Sequence, residues 1–362
     1  MARQFTKQAY VKAGITVLVL FIVNYMVLFF ADYPHAVERY YAKALYPVVC
    51  HILHPFFNLF PFSVGDVLYI AVIVYLLFII IRLVKQLFKK QFAAAGLLVL
   101  KIIAGVEVGM LVFYLFWGLN YFRPSAAERL HLADSSYSVT ELKQVTAVLI
   151  DSANATRGRV NAADIRQTND TIYHTARKAV IALANRSPEF NTYRPGIKPS
   201  LLTPLLNYIG TSGYYNPFTG EAQMNYQMPL CNRPFVACHE MAHQTGYGPE
   251  DEANFVGFLA ARSAADRLLR YSAYNLAVNE FLRTVRYTDT TAFKELKKRL
   301  SPQVIADLKA ERAYWLSYQT QLNAISSVFY DNFLKANNQP QGLETYNRMV
   351  LLVMAMYKKQ GL

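Results

Sequence analysis

Three stretches in the first third of the chain lack the polar positions that a water-facing helix needs. Gly14 to Ala31 is interrupted by Asn24 alone, Val67 to Ile81 is uncharged up to Arg82, and Gly96 to Trp117 is apolar apart from Lys101 and Glu107. With flanking aromatics counted, each approaches the roughly 20 residues that cross a bilayer. The pattern predicts three membrane helices, at about 14–31, 65–83 and 96–117. The first run is too long for the roughly 7–15-residue core of a signal peptide, and Tyr33-Pro34-His35 stands where a small-residue cleavage site would be. It therefore reads as a retained anchor.

Past Pro124 the periodicity changes to that of amphipathic helices, with helical spacing over Val139 to Ala155 and Ala162 to Asn185. Ser187 to Pro204 reads as loop. Tyr208 to Gly220, rich in Gly and Asn, reads as a turn between short strands, and Glu221 to Met228 as an edge strand onto which an extended peptide could add. A helix then opens near Pro234 and stops at Gly246, and another opens at Pro249. The expected fold is mainly α: a membrane anchor over 1–123, then an α+β soluble domain over 124–362.

Charge adds an orientation. Arg3, Lys7 and Lys12 precede the first span, and Arg82, Lys85, Lys89 and Lys90 sit between the second and third. Basic loops stay in the cytoplasm, so three crossings put the C-terminal domain outside it. The net charge of +13 is partly this signal, and no basic stripe interleaved with aromatics suggests nucleic acid. Within the third span, Lys101 is near enough to the cytoplasmic end to snorkel. The linker from Asp32 to Asp66, which carries Tyr41, Tyr46, Phe56, Phe57, Phe60 and Phe62, reads as interfacial; Cys50, His51 and His54 within it are too generically spaced for a metal site. Cys231 and Cys238 do not suggest a disulfide framework, and Cys238 falls off the histidine face of its helix.

The chemistry concentrates in His239-Glu240-Met241-Ala242-His243. Two histidines four apart share one helix face and can hold one metal ion, and the glutamate beside them can act as a general base toward a water that the metal polarises. A third donor is needed, and Glu250, Asp251 and Glu252 open the next helix. Acidic residues in a first turn also complement the helix dipole, so their position alone does not choose between ligand and cap.

The pair HEMAHQ and EDEANFVGFLAA resembles the zinc metallopeptidases of the gluzincin class, in which a glutamate on a following helix completes the site. That resemblance implies Zn²⁺ held by His239, His243 and Glu250, with Glu252 as second choice and Glu280 as third, and Asn254 orienting a ligand histidine. Asn254 replaces the usual aspartate, and the gap between His243 and Glu250 is shorter than in that class. The whole chain, with Trp117-Gly118-Leu119-Asn120-Tyr121-Phe122-Arg123-Pro124 and HExxH…EDEANF, resembles a family of bacterial membrane proteins, domain of unknown function 3810. This resemblance implies a multi-pass protein of the bacterial cytoplasmic membrane carrying a zincin-like extracytoplasmic domain.

The expected activity is peptide hydrolysis with Glu240 as the catalytic base, on a peptide or protein substrate. An oxyanion needs a further donor, and Tyr214, Tyr215, Tyr330 and Tyr346 are the candidates. The alternative is a membrane sensor or assembly protein whose zinc domain is non-catalytic or cuts only itself. A closed site with four protein ligands would favour that alternative.

Overall fold

The structure is a computed structural model describing residues 7–132 and 136–360, with the side chains of Tyr346 and Asn347 outside the description. The apolar runs form three helices of 25 residues each: α1 (Lys7–Ala31), α3 (Val64–Phe88) and α4 (Phe92–Phe116). Their surfaces are inverted relative to a soluble protein. In α1 just Asn24 and Ala31 are buried, and in α3 just Gly65, Asp66 and Ile79. Phe21, Ile73, Leu77 and Phe78 all point outward. A bilayer is the solvent that suits such a surface. α1 packs along α4, and there the Asn24 amide donates to the Glu107 carboxylate at 2.6 Å and to the Glu107 carbonyl at 2.9 Å. A polar pair shared between two spans is a normal clasp where no water is present to compete. Lys101 is exposed.

The linker between the first two spans is helical. A π-helical segment, Val37–Leu45, continues into α2 (Tyr46–Phe57), and the buried face of Val37, Tyr41, Tyr46 and Cys50 packs on Trp117, Leu119 and Tyr121 beyond α4. Arg123 fixes the start of the linker with two hydrogen bonds to Glu38, at 2.7 and 3.1 Å. His54 bonds the Tyr193 carbonyl at 2.6 Å, and His51 stacks on the Tyr193 ring. Cys50 is buried against the tyrosines, and the three cysteines are unpaired.

The remainder is a helical layer on a small sheet. α5 (Val139–Arg157), started by a Ser138–Glu141 capping box, and α6 (Asn169–Ala184) precede the strands β1 (Ile197–Pro199), β2 (Gly213–Asn216) and β3 (Glu221–Met224). α7 (Thr203–Ile209) joins β1 to β2. The sheet order is β1-β3-β2, with β1 parallel and β2 antiparallel to β3. The segment expected to be the edge strand is thus the central one. β1 pairs across its far side, leaving β2 as the edge toward the site.

α8 (Arg233–Gln244) crosses the sheet and packs on α6 and on α9 (Glu250–Arg262). α10 (Arg267–Thr288) runs along α5; α11 (Thr290–Lys298), α12 (Pro302–Ser317), α13 (Gln321–Ala336) and α14 (Met349–Gln360) close the domain. The core is the contact layer of α5, α6, α8, α9, α10 and α14, with Leu149, Met241, Phe258, Phe281 and Val353 buried in it.

Candidate metal centre and cleft

α8 starts and stops on local signals. Pro234 sits in its first turn, and Gly246 at φ +81° ends it in the left-handed region that glycine enters without strain. The chain then turns back, so the Tyr247 carbonyl meets His243 Nδ1 at 2.7 Å. That contact leaves His243 Nε2 to face the cleft. Trp117 Nε1 donates to the His243 carbonyl at 2.9 Å, and the Tyr46 hydroxyl donates to the Gln244 carbonyl at 2.9 Å. The end of the motif helix is therefore held by side chains from the linker and from the residue after the third span.

Ligand-capable atoms of His239, Glu240 and His243 lie within 4.8 Å of one another. Glu250 comes closer to the imidazoles than that: its Oε2 is 3.2 Å from His239 Nε2 and 3.6 Å from His243 Nε2. This buried oxygen has no well-formed hydrogen bond. Its partner Oε1 accepts from the Tyr330 hydroxyl at 2.8 Å, and the Glu250 backbone N–H donates to the Gln339 side chain at 3.2 Å. Asn254, one turn further along α9, lines the same cleft and raises the basicity of His239.

The electrostatics follow from dry surroundings. Burial lowers the pKa of His239; at His243 burial is outweighed by Glu250 and Glu240, and the pKa is raised. Burial also opposes the Glu250 charge, yet the two imidazoles hold its carboxyl well below the usual range. Glu240 is held less firmly. Burial first, with Glu250 adding to it and His243 opposing, pushes its carboxyl up to about 8. Glu240 lies against β2, where a Cβ on Gly213 would fall 2.6 Å from its Oε1.

The remaining sequence candidates divide. Glu252, the second choice, faces away. Its carboxylate accepts from Arg129 at 2.5 Å and from the Ala126 N–H at 2.6 Å, both buried, so it ties α9 to the chain leaving the third span. Glu280 lines the same cleft from α10, but its charged neighbours are Arg283 and Glu311 rather than the histidines. Among the tyrosines, Tyr330 reaches the centre. Tyr214 donates its hydroxyl to Asp66, and Tyr215 is packed on Trp117 with Tyr46 beside it. The Tyr346 side chain lies outside the described residues. Cys238 is buried against α6, away from the donors. Sequence reasoning missed Trp117, Tyr46, Gln339 and the Gly213 contact. Trp117 opens the WGLNYFRP segment, to which the sequence alone assigns no role.

A cleft of about 1020 Å³ opens over these groups. Its walls come from β2, α7, α8, α10, α12 and α13, and from Tyr69 of α3 and Phe113 of α4.

The chain belongs to the family described as Protein of unknown function (DUF3810), whose model matches residues 41–354. No curated protein and no solved structure matches it.

Proposed function

We propose that the protein is a membrane-anchored, zinc-dependent metallopeptidase of gluzincin type, with its zincin-like domain outside the bacterial cytoplasmic membrane. The observation that carries the reading is the position of Glu250 Oε2. Ligand atoms around a tetrahedral zinc with bonds of about 2.0–2.1 Å stand about 3.3 Å apart. The separations of 3.2 and 3.6 Å from the two Nε2 atoms fit that spacing. A buried carboxylate oxygen without a well-formed hydrogen bond is what a cation site presents when its donors converge.

His239, His243 and Glu250 would hold the ion. An ion there supplies Lewis acidity and makes water a competent nucleophile at neutral pH. Glu240, buried and facing the cleft, is the group positioned to accept the water's proton and return it to the leaving nitrogen. Burial raises its pKa, and an adjacent positive charge would lower it toward the neutral range in which a base works. Asn254 and the Tyr247 carbonyl orient the two imidazoles. Tyr330, whose hydroxyl donates to the far oxygen of Glu250, is the tyrosine placed to steady that carboxylate; to serve developing negative charge it would turn its one hydrogen away from Glu250. The free edge of β2 beside Glu240 offers backbone groups to an extended peptide.

The test measures bound zinc by elemental analysis and hydrolysis of a peptide library, for the wild type and for Glu240→Gln. Zinc retained with hydrolysis abolished in the variant supports the reading. Equal hydrolysis by both proteins removes Glu240 from the chemistry. Stoichiometric zinc with no turnover by the wild type favours a sensor or assembly role.

A further inference from the structure

The wall of the cleft includes the ends of two spans. Tyr69 lies five residues into α3 and Phe113 three residues before the end of α4, and both line the cavity that holds His239, Glu240 and His243. A span of about 20 residues counted back from Lys85, the last basic residue of α3, begins near Asp66. Tyr69 therefore lies at or below the bilayer boundary, and Phe113 close to it on the neighbouring span. The same cleft is also lined by exposed apolar side chains: Leu205 of α7 is 44% exposed and Phe329 of α13 is 75% exposed.

β2 gives this opening a direction. At one end Gly213 touches Glu240, and at the other Asn216 packs on Gly65 in the first turn of α3. Between them Tyr214 stacks on Tyr69, with ring centroids 6.0 Å apart. No strand pairs with the outer edge of β2 among the described residues. Three residue steps along a strand cover about 10 Å. A chain laid on this edge thus passes from the catalytic glutamate to a membrane helix within a few residues.

Resting on the peptidase reading, we infer that the substrate is a peptide held in the membrane by an apolar group on its N-terminal side, entering the cleft from the bilayer past Tyr69 and Phe113. The side follows from strand direction. β2 runs from Glu240 toward the membrane helix, and an antiparallel partner, the better-bonded arrangement, runs from the membrane toward Glu240. Hydrolysis then falls within a short distance of the anchor. The amide C–N bond breaks, hydroxide from water joins the carbonyl carbon, and the proton goes to the leaving nitrogen. An acyl chain and a preceding apolar span offer the same chemistry to the opening.

The zinc-loaded full-length protein is reconstituted in liposomes with one 12-residue peptide in four forms: unmodified, N-palmitoylated, C-terminally lipidated, and placed after a 20-residue apolar span. Rates and cleavage positions are read by mass spectrometry. The expected result is at least tenfold faster cleavage of an N-anchored form than of the unmodified or C-anchored peptide. Cuts should cluster about three to five residues from the anchor. Whichever N-anchored form is preferred identifies the source of the anchor. Leu205→Asp and Phe329→Asp should lower the ratio of anchored to unanchored rates, a ratio that a loss of folded protein leaves unchanged. Equal rates with scattered cuts, or preference for the C-anchored form, overturn the inference while leaving the peptidase reading intact. No hydrolysis of any form overturns both.

Discussion

Gly257 of α9 lies against the backbone of His239: a Cβ there would sit 3.1 Å from both the Cα and the N of that histidine. Glu250, Asn254 and Gly257 occupy one face of α9, at spacings of four and three. The closest approach of the two helices is therefore what sets the Glu250 carboxylate over the imidazoles. Gly257→Ala must push backbone from backbone by a few tenths of an ångström. We expect a loss of about 1–3 kcal/mol in stability and a drop in zinc affinity of about 10–100-fold. Chelator competition on the purified protein reads the affinity, and an unchanged zinc affinity would show that the crossing does not position Glu250.

Glu250 and Glu252, two residues apart, should fail differently. Glu250→Gln is expected to remove zinc while the fold persists, because its carboxylate faces the two imidazoles. Glu252→Gln breaks a buried ion pair with Arg129 and should cost about 3–5 kcal/mol. At temperatures where that variant remains folded, it should keep its zinc. Zinc content by elemental analysis and thermal unfolding, measured side by side, separate the two. Loss of zinc from folded Glu252→Gln would contradict the assignment.

What could be seen in the sequence was local. Unbroken apolar runs specify spans by length alone, and Pro234, Gly246 and Pro249 punctuate the motif helix through backbone sterics that need no distant partner. The position of Glu250 was open to argument for the same reason, since the turn between the helices is short. Contacts between distant segments were not visible. Tyr46 and Trp117 reach the end of α8 across 198 and 126 residues, and nothing in either side chain's neighbourhood announces that. Glu252 stands in the sequence as second choice to Glu250, and it is Arg129, 123 residues away, that claims its carboxylate. The place of β3 in the sheet depended on a three-residue partner, Ile197–Pro199, too short to show alternation.

Glu280 should make stability depend on pH. Burial, helped by Glu311 and opposed by Arg283, pushes its carboxyl up from 4.5 to about 7. The folded state then holds a proton that the unfolded state releases above 4.5. The contribution is fully present below that pH and is lost as pH rises through about 7. Glu280→Gln, which keeps the neutral form, should match the wild type near pH 4 and exceed it at pH 8 by on the order of 1–3 kcal/mol. Thermal unfolding of both proteins across this range checks the sign. A variant less stable than the wild type at pH 8 would mean that the ionised carboxylate is stabilised where it lies.

Gly213 gives a way to move the proposed base without altering it. A Cβ at this position would stand 2.6 Å from Glu240 Oε1 and 2.7 Å from the Gln223 carbonyl. The Gln223 carbonyl belongs to the central strand, so relief of both contacts needs a small shift of β2 away from it, at a cost in stability, as well as a displaced Glu240 side chain. A displacement near 1 Å of a reacting group costs about 100-fold in rate. Gly213→Ala should therefore lower kcat by about that factor while zinc stays bound, since His239, His243 and Glu250 are not in its path. Glu240→Gln should lower kcat further. In the double variant the Gly213→Ala effect should vanish, because there is no longer a base to misplace. Persistence of the full hundredfold loss in the Glu240→Gln background would place the effect of Gly213 on the substrate strand instead of on Glu240.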